Sequence, residues 1–265
     1  MMFVVLAYRN DVAARVLVQR WLAAGERAAL LTCEDLSRPG WRYVAGRRGD
    51  GRAFVEGRLI PTRAIRAVIT RMPAVGEAEL AYVHEDDRRY AVAEMQAFLL
   101  AWLSSLECPV LNRPSPSNLA GPSWNGPEWV QRARRLGFAA TKVKQRAEFV
   151  AGATLDVPRP TDECQIVIDV IGDRAFLPGG HEPGAGDASR AEAAVMLARD
   201  AGVELLRVCF ARGDEQTPTF LEAGFWVDVA AERVAEAIAD RCRDLSGEPV
   251  TSSAAQSAAG TMVTA

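Results

Sequence analysis

The 265-residue chain carries 31 Lys and Arg against 34 Asp and Glu, a formal net charge of −3, and 49% of its residues are hydrophobic. This suits a globular protein of one large or two small domains, and the absence of a basic excess argues against nucleic acid or an anionic membrane as partner. The five cysteines (Cys33, Cys108, Cys164, Cys209, Cys242) form no CxxC pair, which excludes zinc-type spacing and reads as reduced thiols of a cytoplasmic protein.

FVVLA (3–7) opens the chain as a buried-type strand, and MMFVVLAYRND lacks the basic start and apolar length of a signal peptide. Asn10 or Asp11 can cap the next helix, which stops at Gly25. AALLT (28–32) is a second strand, so the start is a βαβ unit that favours a parallel sheet. AFVEGRLI (53–60) predicts a small hairpin at Glu56 and Gly57. IRAVIT (65–70) is a third strand, ending at Arg71. A helix from about Asp87 to Glu107 places Val92, Met95, Leu99, Trp102 or Leu103, and Leu106 on one face. Its AFLLAWL run is about a third of a membrane span. PVLN (109–112) is a fourth strand, followed by a Pro/Gly/Ser loop and a helix from about Pro127 to Leu136 with Gly137 as its stop.

QIVIDVIGDRAF (165–176) predicts two strands around Gly172 and Asp173. Ser189 and Glu192 suit a capping box for a helix ending at Gly202. ELLRVCF (204–210) and PTFLE (218–222) predict an antiparallel pair. The last helix is expected from about Asp228 to Leu245, with Val234, Ile238 and Leu245 on one stripe, and residues 246–265 read as a disordered tail.

Arg9, Arg71, Asn112 and Arg113 each follow a strand of the first sheet, where parallel α/β domains place ligand contacts. The planar fork of Arg suits a carboxylate or phosphate, and ordinary salt bridges are the competing use. Lys142 and Lys144 are the only lysines, two apart. On a strand they point the same way and can grip an anion or guard an exposed edge. Trp124 and Trp129 flank the Pro/Gly loop as a groove cover or as packing on the adjacent helix. His181 and Glu182 lie in a Gly-rich loop that lacks a phosphate-binding fingerprint. No cysteine has a partner base nearby in sequence to make it a nucleophile.

Several strings together resemble the ATP-grasp family, specifically the RimK-like and peptide-maturase carboxylate–amine ligases. LTCEDL and IRAVITRMP are similar to that family's N-terminal domain. AEMQAFLLAWLSSLECPVLNRPSPSNLAGPSW is similar to its helix, strand and Asn-containing loop. VIDVIGDRAF with RVCFARGDEQTPTFLEAGFW resembles its C-terminal lobe. The resemblance implies an α/β fold: an N-terminal open parallel-type sheet domain (1–113), a loop, helix and linker (114–160), a reduced α+β C-lobe-like unit (161–245) and the tail.

The resemblance also implies a shortened, degenerate member. The family holds Mg²⁺ on ATP through an Asp, a Glu and an Asn, and the matching positions here are Cys209, Glu222 and Gly224. Only Glu222 remains as a metal-ligand candidate, and its other reading is a solvated strand end. Phe225 and Trp226 stand where a ligand needs space. The family's central nucleotide lobe belongs between Gly137 and residue 165, but 27 residues lie there, below the roughly 50 of a small domain. No Arg precedes the Gly-Asp turn to meet phosphate. The expected role is a binding or accessory subunit for a peptide, small molecule or partner ligase, with no cofactor. The alternative is an active ATP-dependent carboxylate–amine ligase using ATP and Mg²⁺ through an acyl phosphate.

Overall fold

The computed structural model describes residues 1–46, 50–140, 165–212 and 218–247. Lys142, Lys144, Cys164, most of the segment expected in place of a central lobe, and the tail beyond Gly247 lie outside them. Among the described residues no helix is long and apolar enough to cross a membrane.

The first sheet contains β1 (Met2–Leu6), β2 (Ala28–Leu31), β5 (Ile65–Thr70) and β6 (Val110–Leu111), all parallel in the order β2-β1-β5-β6. Both of its faces are covered, which is why its strands are continuous apolar runs. Phe3, Val5, Ala67 and Ile69 pack on one side with α1 (Val12–Ala23). Val4, Leu6 and Val68 pack on the other with Leu99, Trp102 and Leu103 of α3 (Glu85–Ser105). Asp11 makes the cap of α1, its Oδ1 accepting from Ala14 N at 2.9 Å. A short helix, α2 (Cys33–Leu36), is not expected from the sequence, because one turn leaves no periodicity to read.

The expected hairpin forms from β3 (Arg52–Val55) and β4 (Arg58–Pro61). Its two-residue turn needs positive φ at both positions, and Glu56 and Gly57 adopt 46° and 75°. Glu56 has a reason to accept that conformation. Its Oε1 takes the Leu30 N–H at 2.9 Å, closing a donor on edge strand β2.

The second sheet has the order β7-β11-β10-β8-β9. It contains β7 (Ala139–Ala140), β8 (Gln165–Ile171), β9 (Arg174–Phe176), β10 (Leu205–Ala211) and β11 (Thr219–Gly224), antiparallel except where β7 runs parallel to β11. One face packs Val170, Val208, Phe210 and Phe220 against α4 (Gly126–Arg135) and α5 (Ala188–Ala201). α5 begins one residue before Ser189, with Asp187 as N-cap and no side-chain cap bond, so the expected capping box does not form.

The last helix, α6 (Glu232–Leu245), starts four residues later than expected. Its buried stripe is Val234, Ala235, Ile238, Ala239 and Cys242, whereas Leu245 is 41% exposed. The reason is where the helix docks. α6 lies beside α1 and against the first sheet, and one hydrophobic cluster draws on β1, β5, α1, β8 and α6 together. Trp21 Nε1 donates to Ala235 O at 2.8 Å and Arg20 Nε to Ala230 O at 2.8 Å, so α1 and α6 share a core.

Candidate functional site: the joint between the two sheets

Residues 227 and 228 link the strand ends of the first sheet to the second: Val227 O accepts from Arg71, and Asp228 N donates to Asp169. Arg71 follows β5 directly and is held by its own N–H on Leu6 O at 2.8 Å. Its Nε donates to Asp11 Oδ2 at 2.8 Å, and its Nη1 donates to Val227 O at 3.1 Å. Both partners of the ion pair are nearly inaccessible, at 6% and 7% side-chain exposure. The Trp226 ring lies 5.1 Å from the guanidinium carbon and stacks on Tyr8 at 6.3 Å. Arg71 therefore spends its fork on joining the two halves.

Asn112 is 2% exposed and uses its whole amide. Nδ2 donates to Leu205 O at 2.8 Å and Ala120 O at 3.2 Å, while Oδ1 accepts from Glu204 N at 2.7 Å and Leu205 N at 2.9 Å. Two donors and two acceptors exhaust that side chain, and they pin the end of β6 to the start of β10. Arg9 is exposed; its N–H donates to Glu79 Oε2 at 3.0 Å, and its carbonyl accepts from Arg15. Arg113 is exposed and lines a hollow beside Glu107, Gly202 and Leu245. The four strand-end residues thus do not converge on one site: two are joints and two are exposed on separate contacts.

Along the second sheet, side chains directly opposite one another share a face. Leu205 and Ile171 point into the shared core. Two residues on, Arg207 opposes Asp169 on one side and Gly224 on the other, and then Cys209 opposes Glu222. The face therefore grades from apolar, through an ion pair, to a thiol–carboxylate pair. Arg207 Nε and Nη2 meet the two oxygens of Asp169 at 2.7 Å each, a bidentate fork. Asp169 is 1% exposed and also accepts from Asp228 N at 2.9 Å. Burial works against the charge on Arg207, but the bond and the charge of Asp169 outweigh it and hold the pKa above its ordinary value. The Cys209 thiol is pushed up to about 12, first by burial and then by the charge of Glu222 and a hydrogen bond to it.

This pair is legible in part from the sequence. Asp169 is a lone carboxylate inside the apolar run QIVIDVI, and a buried charge needs a partner. Arg207 in ELLRVCF is the matching signal. Trp124 and Trp129 pack edge to face at 4.9 Å, with Arg132 over Trp124 at 3.6 Å; Trp129 is buried against the second core. Phe225 closes on Gly121, where a Cβ would meet its ring at 3.1 Å. Glu182 pairs with Arg233 at 3.6 Å.

The donor chemistry does not fit Mg²⁺, which requires several hard oxygen ligands. Glu222, exposed, supplies one carboxylate. Cys209 is a neutral thiol at physiological pH, and Gly224 has no donor side chain. Asp169 already accepts from Arg207 Nε, Arg207 Nη2 and Asp228 N, and the guanidinium of Arg207 puts a cation on the same face. Among the described residues no group of three or more His, Cys, Asp or Glu side chains could hold a metal ion.

No family model matches the sequence, and no curated protein matches it significantly. Solved structures do. The chain is similar to the macrocyclase MdnC bound with precursor peptide MdnA from Microcystis aeruginosa MRC, at TM-score 0.64 and 13% identity, covering 93% of this chain and 100% of that one. It is similar to the ATP-grasp ligase PsnB complexed with a phosphomimetic variant of minimal precursor, Mg and ADP, at TM-score 0.61 and 14% identity, covering 91% and 97%. A RiPP-associated ATP-grasp ligase from Chryseobacterium gregarium, in complex with ADP and a leader and core peptide, matches at TM-score 0.58 and 10% identity, covering 92% and 97%. The two sheets, their connecting helices and their order along the chain are therefore those of an ATP-grasp-like fold.

Proposed function

We propose that this chain is an ATP-grasp-like protein that binds a peptide or partner protein and has lost ligase chemistry, acting as an accessory subunit. The observation that carries the reading is the donor set on β10 and β11. A protonated thiol, a single carboxylate and a glycine occupy the positions the resemblance assigns to three metal ligands, beside the Arg207–Asp169 pair. The peptide half of the reading is supported by MdnC, PsnB and the Chryseobacterium ligase, each captured with a precursor or a leader and core peptide.

The competing reading is an active carboxylate–amine ligase, favoured by Glu222, which is exposed on β11. Calorimetry with Mg²⁺ and ATP, together with an ADP-release assay in the presence of a precursor peptide, separates the two. The accessory reading expects no heat at micromolar nucleotide and no ADP above background. Micromolar Mg²⁺-dependent ATP binding, or ADP release that Glu222→Gln abolishes, overturns it.

A further inference from the structure

We infer that an extended acidic peptide segment docks in a trench along the outer side of β6, away from the Arg207–Asp169 pair. Three hollows of about 430, 360 and 390 Å³ lie here. The first and second share Glu107, Pro109 and Leu245; the second and third share Gly202 and Glu204. They adjoin as one channel, starting between the β3–β4 hairpin and the end of α3, passing edge strand β6, and ending at the β8–β9 turn. A channel of that form suits an extended chain better than a compact small molecule. Ile65, Leu106 and Leu245 give its first part an apolar floor.

The charge on the walls selects the partner. Arg42 and Arg63 stand exposed at one end, Arg113 in the middle and Arg199 at the other end. Among the described residues none of these four makes an ion pair. The remaining charged groups are mostly taken: Arg241 holds Glu204 at 2.7 Å, and Arg66 meets Glu26 at 3.4 Å. That leaves Glu107 and Asp173 as the only uncommitted acids on the walls among the described residues. Four free guanidinium forks against two carboxylates make a local cationic strip on a chain of net charge −3. Guanidinium groups pair bidentately with carboxylates. Arginines interrupted by Glu107 and Asp173 suit spaced carboxylates better than the unbroken charge of a nucleic acid.

The inference rests on the peptide-binding half of the proposed function and adds the place and the charge of the ligand. Fluorescence anisotropy tests it on the full chain at low salt. The probe is a fluorescein-labelled peptide of alternating Glu and Ala, about 12 residues and about 40 Å when extended. The expected result is saturable binding, absent for the Lys-Ala counterpart. Arg42→Glu with Arg63→Glu, and separately Arg199→Glu, should each weaken it about tenfold, the effect of about one lost charge-assisted contact. Arg89→Glu, at a solvent-exposed arginine outside the trench, should leave it unchanged. No binding of the acidic probe, equal loss in Arg89→Glu, loss at only one end of the trench, or displacement by a single-stranded oligonucleotide at equal concentration overturns the proposal. ATP turnover would refute the non-ligase reading and leave this result standing, so the two failures are distinguishable.

Discussion

The Arg71–Asp11 and Arg207–Asp169 pairs are both Arg–Asp contacts with an enclosed carboxylate, and they differ in what lies on the far side of the arginine. Arg71 is enclosed by Asp11, the Val227 carbonyl and the Trp226 ring, with both charged side chains below one-tenth exposed. Arg207 has the same fork chemistry, yet 32% of its side chain remains open while Asp169 is closed. The first pair is a joint between segments far apart in sequence. The second spans neighbouring strands of one sheet and leaves a charged edge exposed. Two identical residue pairs thus take different roles because one guanidinium is enclosed and the other keeps an exposed edge.

The two pairs should therefore differ in what their loss costs. Asp11→Ala should have the largest effect, about 3–5 kcal/mol, because it leaves a buried guanidinium without its counter-charge, and loss of the α1 cap adds about 1 kcal/mol. Urea denaturation measures this. A loss below about 1 kcal/mol would show that Arg71 finds water or another acceptor, and the joint would lose its meaning. Asp169→Ala should cost less, about 2 kcal/mol, since Arg207 can turn its open edge to solvent and the main loss is charged hydrogen bonds, including the one from Asp228 N. Equal losses for the two variants would erase the distinction drawn between them.

The fold is more legible in the sequence than the site. Continuous apolar runs mark the parallel strands, and Gly57, Gly137 and Gly202 mark turns and helix ends, because these are local signals. The roles of Arg71 and Asn112 are not local. Arg71 reads correctly as a strand-end residue, but its partners sit 60 and 156 positions away. Asn112 likewise meets Leu205, 93 positions on. A polar residue at a strand end looks the same whether it faces a ligand or staples two sheets; only the fold chooses. Leu245 departs from expectation for a related reason. Helical spacing places it on the Val234–Ile238 stripe, but Cys242 closes that stripe, and Leu245 lies 41% exposed beside Ile65, Leu106 and Pro109.

The smallest predicted effect sharpens the open end of the second sheet. Cys209 has its thiol raised to about 12, and its ordinary value is 9.0. A raised thiol pKa means that the folded state holds the proton more tightly than the unfolded one. The resulting stability is fully present below about pH 9 and is lost as pH rises toward 12, where the folded thiol also ionises. Cys33 and Cys108 act in the same direction, at about 12 and about 11. Unfolding free energy should therefore fall above about pH 9, and Cys209→Ala should flatten that slope. Glu222→Gln removes the nearby negative charge, so the thiol pKa should drop and alkylation of Cys209 by iodoacetamide at about pH 8.5 should quicken. The same substitution should leave Asp169→Ala just as costly, because the ion pair stands on Asp169 alone. Faster alkylation without any change in that cost would place Glu222 and Arg207 in two separate electrostatic neighbourhoods on one sheet face; a coupled change would merge them into a single charged network.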